Sequence, residues 1–489
     1  MIPLKLIDQY AQATPNGIAL VTTEGNVTWE ELRDSVAAKV GHLVTRFPGD
    51  LPAQACYLSE NGIGLVAWLS ALATLGITAT GLDATLPDDR LFVQIQTLNP
   101  DLVLWSTRLP RRTLVARRVA QASILEFEPD LITEAWESVG STSVDPSLPF
   151  PSWRFRAVSI TSGTSGTPKF VVRTESFEAR RFEFFTRRCK FSSQDRFLAC
   201  IPIHHAAGNG WIRLFLSLGA TVVLHESRDP VCLATAVVEH RITATVMVPV
   251  LLARLVEGWR QLKLGLPTTL QWVLVGGRNF TPSEKRRALE TLGCVREYYG
   301  TTETGVNTLA EPEDLTTHPD SVGKVFEGNA IQIVDAQGRV VGPDEVGCVA
   351  VQSYMNMAHY LDGGSNEIWI EGSRYLLTPD QGLLDREGRL HLRNRTANAE
   401  NGADLYGLEE AIRQIPLVRD VVVHQPPRTA SREIACALVL DGPESIEHNV
   451  RSLVLKAGLQ LVRYLEVPEI PYSPTGKVRT DFLDESVPA

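Results

Sequence analysis

The sequence predicts an α/β fold: a large N-terminal domain of layered α/β subdomains with a small β-rich subdomain, then a small α+β domain at the C-terminus behind a polar stretch that reads as a hinge. Three observations carry this. Between about residues 150 and 300, short apolar runs alternate with amphipathic helical patterns, as in largely parallel sheets covered by helices. From about 320 to 395 the segments become short, alternating and turn-bounded, as in antiparallel hairpins. The final ninety or so residues mix helical and extended segments again.

Taken in order, VTWEELRDSVAAKVGHLV opens with Thr28 and Glu31 at capping-box spacing. The uncharged run from Asn61 to Leu82 has the length of a membrane span. Its Gly, Thr and Ala content and Gly76 instead point to a buried helix ending near Gly76 and a short core strand after it. RFRAV reads as a strand and TESFEARRFEFFTRR as a helix. RFLACIPI, TVVLHE, TATVMVPV and LQWVLVGG read as strands, with helical patterns between them. TPSEKRRALETL is a helix with a Thr cap and Pro in its first turn. AIQIVDAQGRVV, GCVAVQS and GRLHLRN are hairpin segments. In the last part LEEAIRQI is helical, and VRDVVVHQ and EIACALVL are extended. The polar stretch NRTANAENGAD (394–404) is the expected hinge, dividing a domain 1–395 from a domain 396–489.

With 489 residues, 44% of them hydrophobic, the chain can bury a large core. A net charge of -10 disfavours nucleic acid and anionic membranes as partners, yet leaves room for a local cationic pocket. Seven widely spaced cysteines without a CxxC pair fit reduced thiols rather than a disulfide frame or a zinc site. The first residues, MIPLKLIDQYAQATP, lack a signal-like apolar core. The expectation is a cytoplasmic protein with no membrane insertion.

Three stretches carry chemistry. SITSGTSGTPK (159–169) does not fit the P-loop pattern. Gly163 and Gly166 nevertheless let successive N–H groups face one anion; Thr161, Ser162, Thr164 and Ser165 add hydroxyls, and Lys169 adds charge. Composition alone leaves a solvated loop and a phosphate cradle both open. REYYGTTETG (296–305) places an aromatic, a turn glycine, hydroxyls and a carboxylate in close order, as a magnesium–nucleotide complex requires; an exposed turn is the other reading. YSPTGKVR (472–479) presents a lysine on a Pro/Gly-ordered loop, a pattern that ordinary solvated lysines share.

Together these resemble the adenylate-forming superfamily of acyl- and aryl-CoA synthetases, peptide-synthetase adenylation domains and beetle luciferases. TSGTSGTPK is similar to its phosphate loop, YYGTTE to its aromatic-Gly-x-Thr-Glu motif and SPTGK to its C-terminal lysine motif. Order and spacing match across nearly the whole chain. VTWEEL, LATLGITATGLD (72–83), IPIHHAAG (201–208) and LVGG (274–277) add weaker matches.

The resemblance implies that ATP, Mg²⁺ and a carboxylic acid meet to form an acyl-adenylate and pyrophosphate. The acyl group then passes to CoA or, alternatively, to the phosphopantetheine of an acyl carrier protein arriving in trans. Thr161 to Lys169, with Gly163, Thr164, Ser165 and Gly166 among them, would hold the β- and γ-phosphates, and Gly277 belongs to the nucleotide pocket. Tyr299 would stack on adenine, with Gly300 beside the substrate. Thr302 would contact the α-phosphate and Glu303 would ligate Mg²⁺. Asp380 and Arg395 would bind the ribose, and Lys477 would bridge carboxylate and α-phosphate. His205 aligns with the family's gate beside the acyl pocket. Amino-acid-activating members carry a Phe-Asp pair there; IHHAAG has no carboxylate, so the implied acid lacks an α-amino group.

The chain departs from the pattern in several places. Arg278 stands where a small residue is usual, either to pair with a polar acid or to point outward into solvent. Phe170 replaces a glycine, Pro379 turns the usual TGD into TPD, and Ala397 replaces a hinge Asp or Lys. The segment from Arg395 to Gly402 is about two residues short, which bears on the thioester step more than on adenylation. A catalytically weakened scaffold protein is the competing class.

Overall fold

The computed structural model describes residues 1–109, 122–130, 156–162, 168–394, 403–426, 432–473, 476, 478–479 and 481–484. By its internal contacts the chain forms two compact units. The first is Met1–Val246 with Thr269–Gln271 and Met357–Gly364; the second is Met247–Thr268 with Trp272–Asn356 and Ser365–Ala489. The hinge expected at 395/396 lies outside the described residues.

In the first unit, strands Thr78–Gly81, Gln54–Leu58, Leu102–Ser106 and Ser123–Phe127 lie side by side in that order, all parallel. A second parallel set holds Ile18–Thr22, Thr221–Leu224 and Arg196–Ala199, with Gly25–Thr28 antiparallel beside the first of these. The alternating sequence thus folds as its pattern predicts. Helix Trp29–Arg46 begins with the expected capping box: Thr28 Oγ1 accepts from Glu31 N at 3.2 Å, and Thr28 N donates to Glu31 Oε2 at 2.8 Å. The uncharged run forms a buried helix, Ile63–Thr74, and the strand Thr78–Gly81, separated by Gly76 at φ +72°. Among the described residues no helix is long and apolar enough to cross a membrane.

The stretch 159–169 does not lead straight into a helix. Strand Pro168–Thr174 stands between the Ser/Thr/Gly stretch and helix Glu175–Cys189. It pairs antiparallel with Arg156–Ser162, Thr161 opposite Lys169, and on its other side with His359–Tyr360. The described ends of the stretch, Ser162 and Pro168, are therefore paired with each other as neighbouring antiparallel strands. Helix Glu175–Cys189 begins only after the second of these strands, so its N-terminus does not follow the stretch directly.

In the second unit, Trp272–Val275 runs parallel to Val295–Thr301, which pairs antiparallel with Gly305–Ala310, itself flanked by Lys324–Val325. The 320–395 region is the antiparallel sheet anticipated from its texture. Ala330–Val334, Gly347–Gln352, Ser373–Leu384 and Glu367–Ile370 follow one another, with Leu390–Asn394 paired to Ser373–Leu384. Beyond residue 403, helix Leu405–Arg413 and strands Val418–His424, Glu433–Leu440 and Gln460–Glu466 share a core with helix Glu447–Lys456. This last helix and the strand after it were not anticipated.

Strand Val295–Thr301 is anchored by a buried ion pair. Lys285, on helix Pro282–Leu292, places Nζ 2.7 Å from Glu297 Oε2, with both side chains almost fully buried. The same ammonium donates to the carbonyls of Pro319 at 2.6 Å and Ser321 at 3.1 Å. Burial pushes the Glu297 carboxyl above the usual carboxylate range, and Lys285 pulls against that. Removing one partner strands the other charge in the interior. Lys285→Met should destabilise the protein by about 3 kcal/mol, read from the denaturant midpoint, whereas Lys285→Met with Glu297→Leu should recover much of the loss.

Candidate active site

In the first unit, His205 is the N-cap of helix Ala206–Ser217, its Nδ1 accepting from Ala207 N at 3.2 Å. The turn before it is pinned at two points. Ile203 N donates to Asn61 Oδ1 at 2.7 Å, and Tyr57 Oη donates to the Ile203 carbonyl at 2.9 Å. Its neighbour His204 lies against Gly81, where an added side-chain carbon would come within 2.4 Å of His204 Cα. Burial lowers the His204 pKa, with Asp83 acting the other way. The adjacent histidines thus have separate surroundings, as their spacing requires.

Lys169 is half-buried, with Nζ 4.8 Å from the centre of the Tyr360 ring. Phe170 now has a physical account. It is 5% exposed and sits in the core cluster of Val158, Val172, Leu82, Ile95 and Trp105. Glycine at this position would leave a large void, so the departure from the family pattern is a packing choice. Gly163, Thr164, Ser165 and Gly166 lie outside the described residues.

In the second unit, strand Val295–Thr301 delivers the aromatic-Gly-x-Thr-Glu stretch. Tyr299 is 6% exposed and packs among Val322, Ile331, Val349 and Leu390. Its hydroxyl donates to Asp380 Oδ2 at 2.9 Å and stands 3.1 Å from Thr378 Oγ1. Two positions separated by eighty residues of chain, both assigned to the nucleotide, are therefore directly joined. Pro379 fits between them because the ladder breaks there. Cys348 opposes Gln381 while Ala350 opposes Leu377, leaving a bulge where proline's missing N–H is tolerated. Gly300 follows a second register shift, opposite Val306.

The turn after Gly300 is tied by hydroxyls. Thr301 Oγ1 accepts from Glu303 N and Thr304 N, each at 3.2 Å, and Asn307 Nδ2 donates to Thr304 Oγ1 at 2.8 Å. Thr302 and Glu303 are half-buried on this turn. A half-buried carboxylate beside a hydroxyl, held by its own backbone, is a donor set suited to a magnesium ion that also binds phosphate. Thr301, Thr304 and Asn307 were not singled out from sequence, although the run of threonines was a signal for a hydroxyl-tied turn.

Gly276 and Gly277 end the strand Trp272–Val275. A side-chain carbon on Gly276 would strike the Tyr298 ring at 2.7 Å, which accounts for the glycine there. Arg278 adopts neither of the two environments expected for it. Its Nη1 donates to Tyr472 Oη at 2.6 Å and its Nη2 to the Val421 carbonyl at 3.4 Å. Burial opposes its charge, but Tyr472, Glu409, Asp420 and Glu284 together raise its pKa.

The C-terminal motif lies on the turn closed by the bridge between Tyr472 and Val478, with Arg479 N donating to the Pro471 carbonyl at 2.9 Å. Lys477 and Arg395 are outside the described residues; Gly476 is within them, buried, at φ +75°. A side-chain carbon on Gly476 would come within 2.3 Å of Val248 Cγ2, and one on Gly277 within 3.6 Å of Val248 Cγ1. Val248 thus lies between the glycine pair and the C-terminal turn.

A family profile described as AMP-binding enzyme matches residues 7–361, and the chain belongs to that family, within the adenylate-forming superfamily its motifs resemble. It is an AMP-forming ligase of the acid–thiol class. An indoleacetate–CoA ligase of Aromatoleum aromaticum is 26% identical, over 98% of this chain and 97% of its own. The O-succinylbenzoate coenzyme A synthetase of Bacillus subtilis in complex with AMP shares the fold, with TM-score 0.81, 23% identity and 99% and 98% coverage. An amide bond synthetase of Marinactinospora thermotolerans does so with TM-score 0.81, 24% identity and 99% coverage of both chains.

The account of Phe170 as a core residue can be checked directly. Phe170→Ala should lower stability by about 3–5 kcal/mol in thermal or denaturant unfolding. A loss under 1 kcal/mol would mean that the side chain serves the neighbouring loop instead.

Proposed function

We propose that the chain converts a carboxylic acid lacking an α-amino group, an aryl or functionalised acyl acid, into its acyl-adenylate and then into the CoA thioester. The reading rests foremost on Val248, whose side chain borders Gly277 on one side and Gly476, next to Lys477, on the other. A lysine that stabilises the meeting of two anions has to reach that pocket, and a turn seated on Val248 is where it would enter.

In the first half-reaction the carboxylate oxygen attacks the α-phosphorus, and the bond to the bridging oxygen of pyrophosphate breaks. Both reactants are anionic, so the barrier is largely electrostatic. Lys477 would offset charge on the carboxylate and the α-phosphate, and Thr302 would donate to the α-phosphate. Glu303 would hold a magnesium ion, which neutralises phosphate charge. Tyr299 would lie at the adenine end of the site, its hydroxyl orienting Asp380 for the ribose. In the second half-reaction a thiolate attacks the acyl carbon and AMP leaves.

Two features support an acid without an amino group. The His204–Gly208 stretch has no carboxylate to hold an ammonium, and the relative from Aromatoleum is named for indoleacetate and CoA.

ATP–pyrophosphate exchange across a panel of aryl and acyl acids, followed by offering CoA, a phosphopantetheine-loaded carrier protein or an amine, tests this reading. Exchange with an aryl acid and thioester formation with CoA are expected. Absence of exchange with every acid would overturn the adenylation, and exchange that yields product only with carrier or amine would overturn the CoA step. Lys477→Ala should reduce exchange by about 10²–10³-fold while ATP affinity stays within about threefold, measured by calorimetry.

A further inference from the structure

We propose that Arg278 is a positioning residue for the C-terminal lysine turn and does not contact the acid. Resting on the adenylation reading only for what the turn does, the inference assigns Arg278 the task of holding that turn on Val248.

The contacts come from one short stretch, Arg278 to Glu284, and reach three elements beyond residue 403. Arg278 donates to Tyr472 Oη at 2.6 Å, and Tyr472 in turn donates to Asp420 Oδ2 at 2.6 Å. Asn279 Nδ2 donates to Glu409 Oε2 at 2.9 Å, while Glu409 Oε1 accepts from Val423 N at 3.1 Å. Ser283 Oγ donates to Glu410 Oε2 at 2.8 Å. Arg413 lies between Asp420 Oδ1 at 3.1 Å and Glu284 Oε1 at 3.7 Å.

Tyr472 begins the turn that Val478 closes, so the Arg278 bond grips one end of it while Gly476 fits against Val248 within it. The guanidinium suits this use. Its fixed fork serves two acceptors at once, Tyr472 and the Val421 carbonyl, and its Cζ lies over the Tyr472 ring, 5.0 Å from the centre. The same surroundings disfavour a substrate role. Glu409, Asp420 and Glu284 already face this charge, and an acid's carboxylate brought here would meet their repulsion.

The test compares the intact protein with Arg278→Ala and with Tyr472→Phe, which keeps the ring and removes the relay. Hydrogen exchange over 471–479 should quicken about tenfold in both variants while exchange over 433–440 stays unchanged, since only the grip on the turn is lost. In pyrophosphate exchange, kcat should fall about tenfold with the KM for the acid within about twofold of the parent value. Unchanged protection over 471–479 in both variants would overturn the proposal. So would a raised KM for the acid with kcat retained, which is the signature of a direct substrate contact. If no acid supports exchange in the unsubstituted protein, the adenylation reading fails, and the protection data alone still decide whether Arg278 grips the turn.

Discussion

Lys285 and Glu297 form a pair whose charges are out of water, and the second unit is organised around the need to keep them together. A buried ammonium without a carboxylate, or the reverse, is far more unfavourable than the pair itself, so helix Pro282–Leu292 has one allowed seat against strand Val295–Thr301. The residues just before Lys285 on that helix then face the C-terminal elements: Ser283 bonds Glu410 and Glu284 approaches Arg413. One helix thereby fixes, through consecutive side chains, the seat of strand Val295–Thr301 and the contact with helix Leu405–Arg413.

The same strand shows how packing and chemistry share residues. Tyr299 has its ring among aliphatic side chains and its hydroxyl on Asp380. Burying a phenol is favourable only when the hydroxyl finds a partner, and the partner here is the carboxylate assigned to ribose. Asp380 is thus oriented by the fold itself, and the bulge containing Pro379 lets the chain turn enough to present it. Preorganisation of this kind reduces the ordering that binding would otherwise require.

Much of this was legible along the chain. The capping box at Thr28, the Thr cap and proline that open helix Pro282–Leu292, the helix closed before Gly76 and the change to antiparallel hairpins after residue 320 follow from local periodicity and cap chemistry. Strand Pro168–Thr174 has no local signature, because KFVVRT directly follows a Gly/Ser/Thr run and leads into a helix, so it reads as connection. Its identity depends on pairing with Arg156–Ser162 and His359–Tyr360, the latter distant in sequence. Phe170 was unexplained for the same reason: its partners Leu82, Ile95 and Trp105 lie far back in the chain.

By itself the sequence determined the class of chemistry, because SITSGTSGTPK, YYGTTE and SPTGK, each open when read singly, together resemble one family's motifs in order and spacing. It also determined most secondary structure, which periods of 2 and 3.6 residues encode directly. Only the tertiary structure decided what Arg278 is for. Substrate contact and solvation were equally consistent with its position after two glycines, since a guanidinium's partner is set by whatever acceptors folding brings near. Here those are Tyr472 and Val421, nearly two hundred and more than a hundred and forty residues away in the chain, and no local pattern could have named them.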